Sequence, residues 1–155
     1  MARPAPWRLD ADRFAHRTLF QTRYQDLDPN GHINNVAYAA LFESARVRFN
    51  AAIALDRWRD LRFLVAKVEL NYLAEGHFPA DVEIATAVGP IGGRSWHLLS
   101  TMFQDGVALA TCDTVLVASK AADGLPPAMR AALAAAQSPA GDQSRASVSG
   151  SGLPS

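Results

Sequence analysis

One unbroken run, NNVAYAALFESARVRFNAAI from Asn34 to Ile53, contains neither proline nor glycine, and four β-rich runs follow it. A chain with a single long helix and several short strands has few ways to bury itself, because the helix needs the sheet as a partner and the sheet needs the helix. The helix reading rests on alanine-rich composition, with Val36, Ala40 and Val47 on one face and Ala37, Leu41 and Ala45 on the adjoining one. The β-rich runs are Phe63–Ala74, Ala80–Val88, Ser95–Phe103 and Val107–Ser119. Arg17–Tyr24 (RTLFQTRY) reads as an earlier strand.

Turn clusters separate the later runs: EGHFP at 75–79, GPIGG at 89–93 and QDG at 104–106, the last carrying the Asp-Gly pair of a tight hairpin. Short connections make the strands antiparallel neighbours, and Val82 and Ile84 alternating with Glu83 predict a sheet buried on one face. The expected fold class is α+β, a curved antiparallel sheet around one central helix in the order β-α-β-β-β-β. IALDRWRDLR forms the connection to the second strand, as an irregular or short helical turn whose arginines face solvent or a ligand. PPAMRAALAAA at 126–136 predicts a short helix opened by proline, and QSPAGDQSRASVSGSGLPS at 137–155 has the composition of a disordered tail. These features predict one domain over 1–136.

Lys plus Arg equals Asp plus Glu at 15 each, which argues against a nucleic-acid or membrane surface as partner. MARPAPWRLDADRF lacks the apolar run of a signal peptide and no stretch is long enough to span a membrane, so a cytoplasmic location is expected. The lone Cys112 excludes internal disulfides, and its apolar strand predicts an inert thiol. Histidines at 16, 32, 77 and 97 lack ligand spacing, so no metal is expected. Neither a phosphate-cradling G-x-x-x-x-G-K-[ST] loop nor a G-x-S-x-G elbow is present.

The chemistry concentrates at the doorstep of the helix, where Asp26, Asp28, Asn30, His32, Asn34 and Asn35 surround a Pro-Asn-Gly turn. A carboxylate there can act as a base beside the unpartnered first-turn N–H groups, which with the helix dipole can hold a developing oxyanion. By spacing alone, Asp28 either caps its own turn or does acid–base work. Asn30 and His32 are turn and hydrogen-bonding residues, or they orient water and polarise a carbonyl. Asn34 or Asn35 is the N-cap. Glu43 either pairs with Arg46 one turn on or turns towards the site. Asp26 projects opposite Asp28 on an extended chain and reads as structural.

The pattern D-x-D-x-x-G-H-I-N-N-x-x-Y-x-x-x-x-E-x-A-R resembles the hotdog-fold acyl-CoA thioesterases of the 4-hydroxybenzoyl-CoA thioesterase-like group. FLVAKVELNYLAEGHFPADVEIATAV, GGRSW and a last strand ending VLVA extend the similarity over residues 15 to 120. The Asp-x-Asn-x-His spacing is also similar to plant acyl-ACP thioesterases. The resemblance implies a hotdog fold and hydrolysis of an acyl-CoA thioester without a cofactor, coenzyme A arriving as part of the substrate. It implies Asp28 as catalytic carboxylate, acting as general base or as nucleophile, with Asn30 and His32 assisting, the Asn35 N–H at the substrate oxygen and Glu43 behind the site. Coenzyme A carries phosphates, for which Gly93, Arg94 and Ser95 are the candidates, the alternative being a plain hairpin turn. A homodimer or homotetramer with active sites at the subunit interface is also implied. Acyl-ACP hydrolysis and a non-catalytic acyl-thioester binder stay open as alternatives. A hotdog hydratase, which resembles D-x-N-P-x-H, fits less well, since Gly31 follows Asn30 and His32 stands four residues after Asp28.

Overall fold

A computed structural model describes residues 3–139. In chain order the elements are β1 (His16–Phe20), α1 (Asn35–Ala52), β2 (Phe63–Tyr72), β3 (Val82–Ile91), β4 (Ser95–Gln104), β5 (Val107–Ala118) and α2 (Pro127–Ala135), with 3-10 turns at Pro6–Leu9, Ala11–Arg13, Tyr24–Asp26 and Leu55–Leu61. The five strands form one sheet in the order β1-β3-β4-β5-β2, antiparallel at every pairing. This is the expected α+β hotdog arrangement. Asp105 (φ 50°) and Gly106 (φ 78°) make the tight β4–β5 turn, in the left-handed conformation that such hairpins require.

Helix α1 lies across one sheet face. Its Ala37, Tyr38, Phe42 and Ala45 pack on Val82, Ile84, Met102, Leu109, Ala110 and Cys112. Further along, Phe49 joins Leu55, Val88, Trp96, Leu98, Leu116, Met129 and Leu133, so the 55–61 turn and α2 close that end of the core. Among the described residues no helix is long and apolar enough to cross a membrane.

Five local features differ from the sequence expectation. β1 ends at Phe20, not Tyr24, because Asp26 accepts the Arg23 N–H at 2.9 Å and its guanidinium at 2.9 Å, curling the chain into a 3-10 turn. β3 runs on through Gly89 and Pro90, read above as a turn, with a register shift between Val88 and Ile91. That irregularity accommodates a proline without an N–H, and a Cβ on Gly89 would lie 3.1 Å from Leu99. Helix α1 buries one stripe only, leaving Val36 78% and Val47 63% exposed.

The outer sheet face, expected to meet solvent, is instead partly covered by the chain's first described residues. Trp7 and Phe14 pack on Ala85, Ala87 and Phe103, while buried Arg8 pairs with Asp113 and donates to the Ser100 carbonyl at 2.8 Å. Finally, the expected tail boundary moves. Ser138 N–H donates to Val88 O at 2.9 Å and the Gln137 amide to Gly89 O at 3.0 Å, so both residues dock on β3. The rest of the predicted tail, 140–155, lies outside the described residues.

Replacing Trp7 with alanine removes the centre of the strap and should destabilise the fold by about 3 kcal/mol in denaturant melts; an unchanged midpoint would mean that the strap is dispensable. Truncation after Ala136 should be less stable than truncation after Pro139 by about 1–2 kcal/mol, the scale of the lost hydrogen bonds.

Candidate active site

The loop before α1 is tied to itself. An antiparallel bridge joins Leu27 to Ile33. Inside it, Asp28 N–H donates to His32 O at 2.8 Å and Gly31 N–H to Asp28 O at 3.0 Å. Gly31, at φ 81°, takes the left-handed conformation that favours glycine. Asp28 Oδ1 accepts the N–H groups of Asn30 at 2.8 Å and His32 at 3.1 Å. Oδ2 has no hydrogen-bond partner among the described residues. The two readings of Asp28 therefore coexist: one oxygen caps the turn, and the other is left for a ligand or water.

The loop is also tied to its surroundings. Asn34 N–H donates to Asp26 O at 2.8 Å, and Ile33 N–H to Gly76 O at 2.9 Å. Asp26 is 3% exposed and its carboxylate is taken up by Arg23, which makes it structural, as expected. Asn34, not Asn35, is the N-cap: its side-chain oxygen accepts the Ala37 N–H at 2.8 Å. That leaves the N–H groups of Asn35 and Val36 without a partner among the described residues, at the positive end of an 18-residue helix dipole. A half-buried carboxylate with one free oxygen and two free N–H donors thus lie within one short segment.

His32 acts on Asp28 through its main chain. Its ring is occupied elsewhere, with Nε2 3.2 Å from Glu75 Oε2 and the ring edge-on to His77 at 5.3 Å. Glu75 and His77 were read as part of a turn cluster, and only the folded topology puts them beside the loop. The Asn30 side chain is exposed and makes no hydrogen bond among the described residues, its backbone serving the turn. Glu43 is exposed and no ion pair joins it to Arg46.

Glu43 and Arg46 instead rim an apolar cavity of about 240 Å³ with Ala39, Phe42, Val68, Leu70 and Cys112. Ala39, Phe42 or Glu43, and Arg46 follow the spacing of one helical stripe, which in sequence begins at Asn35. Burial pushes the Cys112 thiol up from its ordinary pKa, which keeps it protonated and inert.

The proposed phosphate-binding residues sit elsewhere. Gly92 N–H is consumed by Ser95 O at 2.7 Å, Gly93 O accepts from Leu125 N–H at 2.8 Å, and the Arg94 side chain is exposed with no hydrogen bond among the described residues. This turn opens β4, whereas the strand's last residue, Gln104, bonds His77 beside the Asp28 loop. Ten residues of strand at roughly 3.3 Å each put about 30 Å between the two ends. One chain does not bring Gly93, Arg94 and Ser95 to Asp28.

A thioesterase from Thermus thermophilus, solved in complex with coenzyme A and Zn, superimposes with a TM-score of 0.73 at 28% identity, over 81% of this chain and 96% of that one. A Pseudomonas aeruginosa protein does so with a TM-score of 0.72 at 30% identity, over 84% of this chain and 96% of that one. A gentisyl-coenzyme A thioesterase shares the fold at 19% identity, with a TM-score of 0.66 over 75% of this chain and 98% of its own. No curated protein matches the sequence. The model of the thioesterase-like superfamily matches residues 22–137, which takes in the Asp28 loop, α1, β2 to β5 and α2. With that match over most of its length, the chain belongs to the thioesterase-like superfamily.

Proposed function

We propose that the protein hydrolyses an acyl-CoA thioester to a free acid and coenzyme A, with Asp28 as its catalytic carboxylate. The observation that carries this reading is the split role of that side chain: Oδ1 is fixed by two backbone donors while Oδ2 stays free. In the reaction, Oδ2 takes a proton from water as the water oxygen adds to the thioester carbonyl carbon. The Asn35 and Val36 N–H groups receive the oxyanion, and its collapse expels the coenzyme A thiolate. A nucleophilic route uses the same geometry, with Oδ2 adding to the carbonyl to give a mixed anhydride that water then opens. Labelled water separates the two, since only the anhydride route brings the label into Asp28 when water attacks the protein carbonyl. No cofactor or metal enters either route.

The acyl group extends along the α1 stripe into the cavity floored by Cys112. The family likeness and the coenzyme A bound in the Thermus thermophilus thioesterase support a CoA thioester over a carrier-protein thioester.

We further propose a homo-oligomer built on the β2 edge. Among the described residues β2 is hydrogen-bonded only to β5, and along it Leu64, Val65, Val68 and Tyr72 are 42% to 48% exposed. An unpaired apolar edge of this kind invites a second copy. Antiparallel pairing of β2 with its symmetry mate reverses the sheet end for end. It carries one protomer's Gly93–Ser95 turn towards the end that holds the other protomer's Asp28. The 30 Å separation within one chain, ten strand residues at roughly 3.3 Å each, therefore supports sites shared between subunits, as a dimer or a tetramer.

Free-thiol release from short, medium, long-chain and aromatic acyl-CoAs should show turnover of one class. Asp28→Asn should lower kcat at least about 10²-fold with an unchanged melting temperature, the scale of losing a positioned acid–base group. Retained turnover in that variant would remove Asp28 from the mechanism. Absence of thiol release with wild type, alongside tight binding, would favour the non-catalytic binder. In light scattering the protein should weigh at least twice the 16.7 kDa of one chain, and Val68→Lys should lower that mass. A wild-type mass of one chain would overturn the shared site.

A further inference from the structure

Helix α1 has a second flank. Ala45, Arg48, Phe49 and Ala52 share one helical face and form one wall of a cavity of about 160 Å³. The opposite wall comes from alternate residues of β1, His16 and Thr18, with Thr86 of β3 between β1 and the rest of the sheet. β1 and β3 lie at one end of the strand order, whereas the cavity proposed above for the acyl group draws on β2 and β5 at the other. The two cavities are separate. The room in this one comes from Ala45 and Ala52, which have only a methyl group each to fill it.

Its lining carries polar groups that the rest of the chain leaves unused. The Arg48 guanidinium lies over the Phe20 ring at 5.7 Å, and the His16 ring meets Phe49 edge-on at 5.1 Å. Aromatic contacts therefore hold both groups in place, and neither has an ion-pair partner among the described residues. No Asp or Glu lines the cavity. Arg17 also borders it, but it alternates with His16 and Thr18 along β1, and its side chain pairs with Asp12 at 3.1 Å instead. Thr86 is 3% exposed, and its hydroxyl shares a 2.8 Å hydrogen bond with that of Ser100. Two hydroxyls use one hydrogen for that bond and keep one to donate.

A guanidinium without a carboxylate, an imidazole N–H and spare hydroxyls make a donor set for an oxyanion. The volume falls well short of the roughly 300–1,000 Å³ of sites for drug-sized ligands, so the ligand is small. One guanidinium matches the two oxygens of a carboxylate, and the Phe49, Ile84 and alanine side chains of the same cavity suit an alkyl end that phosphate lacks. We propose that this cavity binds a short-chain carboxylate, its oxygens on Arg48 and His16 and its alkyl end against Phe49 and Ile84. The site stands apart from Asp28 and does not depend on the hydrolytic reading.

The test follows the His16 ring signals by NMR as sodium butyrate, inorganic phosphate or sodium chloride is added to the full chain at fixed pH. Butyrate should shift them saturably and bind more tightly than phosphate, with chloride producing no saturable shift. Arg48→Gln, an exposed position, should weaken butyrate binding at least about tenfold, the scale of one hydrogen bond to a charged group. Ala52→Leu keeps the guanidinium but fills the cavity, and it should weaken binding as well. Arg17→Gln should leave butyrate binding unchanged. A chloride response equal to that of butyrate, or butyrate binding that survives either Arg48→Gln or Ala52→Leu, would overturn the site. Phosphate binding more tightly than butyrate would overturn the carboxylate assignment.

Discussion

The double pairing of Asp28 with His32 is the interaction on which the candidate site depends. The His32 carbonyl accepts the Asp28 N–H, and the His32 N–H goes to the Asp28 carboxylate together with that of Asn30. A loop left to solvate its own polar groups would sample many conformations. This one uses its donors internally, so the free oxygen of Asp28 has a defined direction relative to the chain. The anchor reaches the core through Ile33, which is buried against Gly76 and the first turns of α1.

The helix carries two roles from one sequence. Its Ala37, Tyr38, Phe42, Ala45 and Phe49 stripe holds it on the sheet, and its capped start leaves two N–H groups open in the segment that follows the Asp28 loop. Asn34 makes the division. By capping Ala37 N–H with its side chain, it stabilises the helix without covering the donors of Asn35 and Val36. The exposed Val36 and Val47 of α1 and the β2 edge, unpaired among the described residues, are surfaces that the proposed pairing of two copies would draw on.

Much of this was legible from local pattern. An alanine-rich run free of breakers announced α1, and Asp-Gly announced the β4–β5 hairpin, because both signals act within a few residues. The loop's residues stood out as candidates for the same reason. What stayed hidden depended on distance along the chain. Trp7 and Phe14 carry no periodicity and find Ala85, Ala87 and Phe103 only after the sheet exists. Gly89-Pro90 has turn composition, yet the neighbouring β4 pulls it into β3 as a bulge. Gln137 and Ser138 look like tail and dock because β3 offers them an edge. Glu75 and His77 sat inside a turn signal that concealed what they face.

A crystal structure of the Asp28→Asn variant with an intact acyl-CoA bound tests the site most directly. The thioester carbonyl oxygen should lie about 3 Å from the Asn35 N–H, with the substituted side chain beside the carbonyl carbon and the acyl group against Ala39 and Phe42. A thioester bound away from the start of α1, or one whose carbonyl faces another group, would contradict the assignment of both Asp28 and the helix N-terminus.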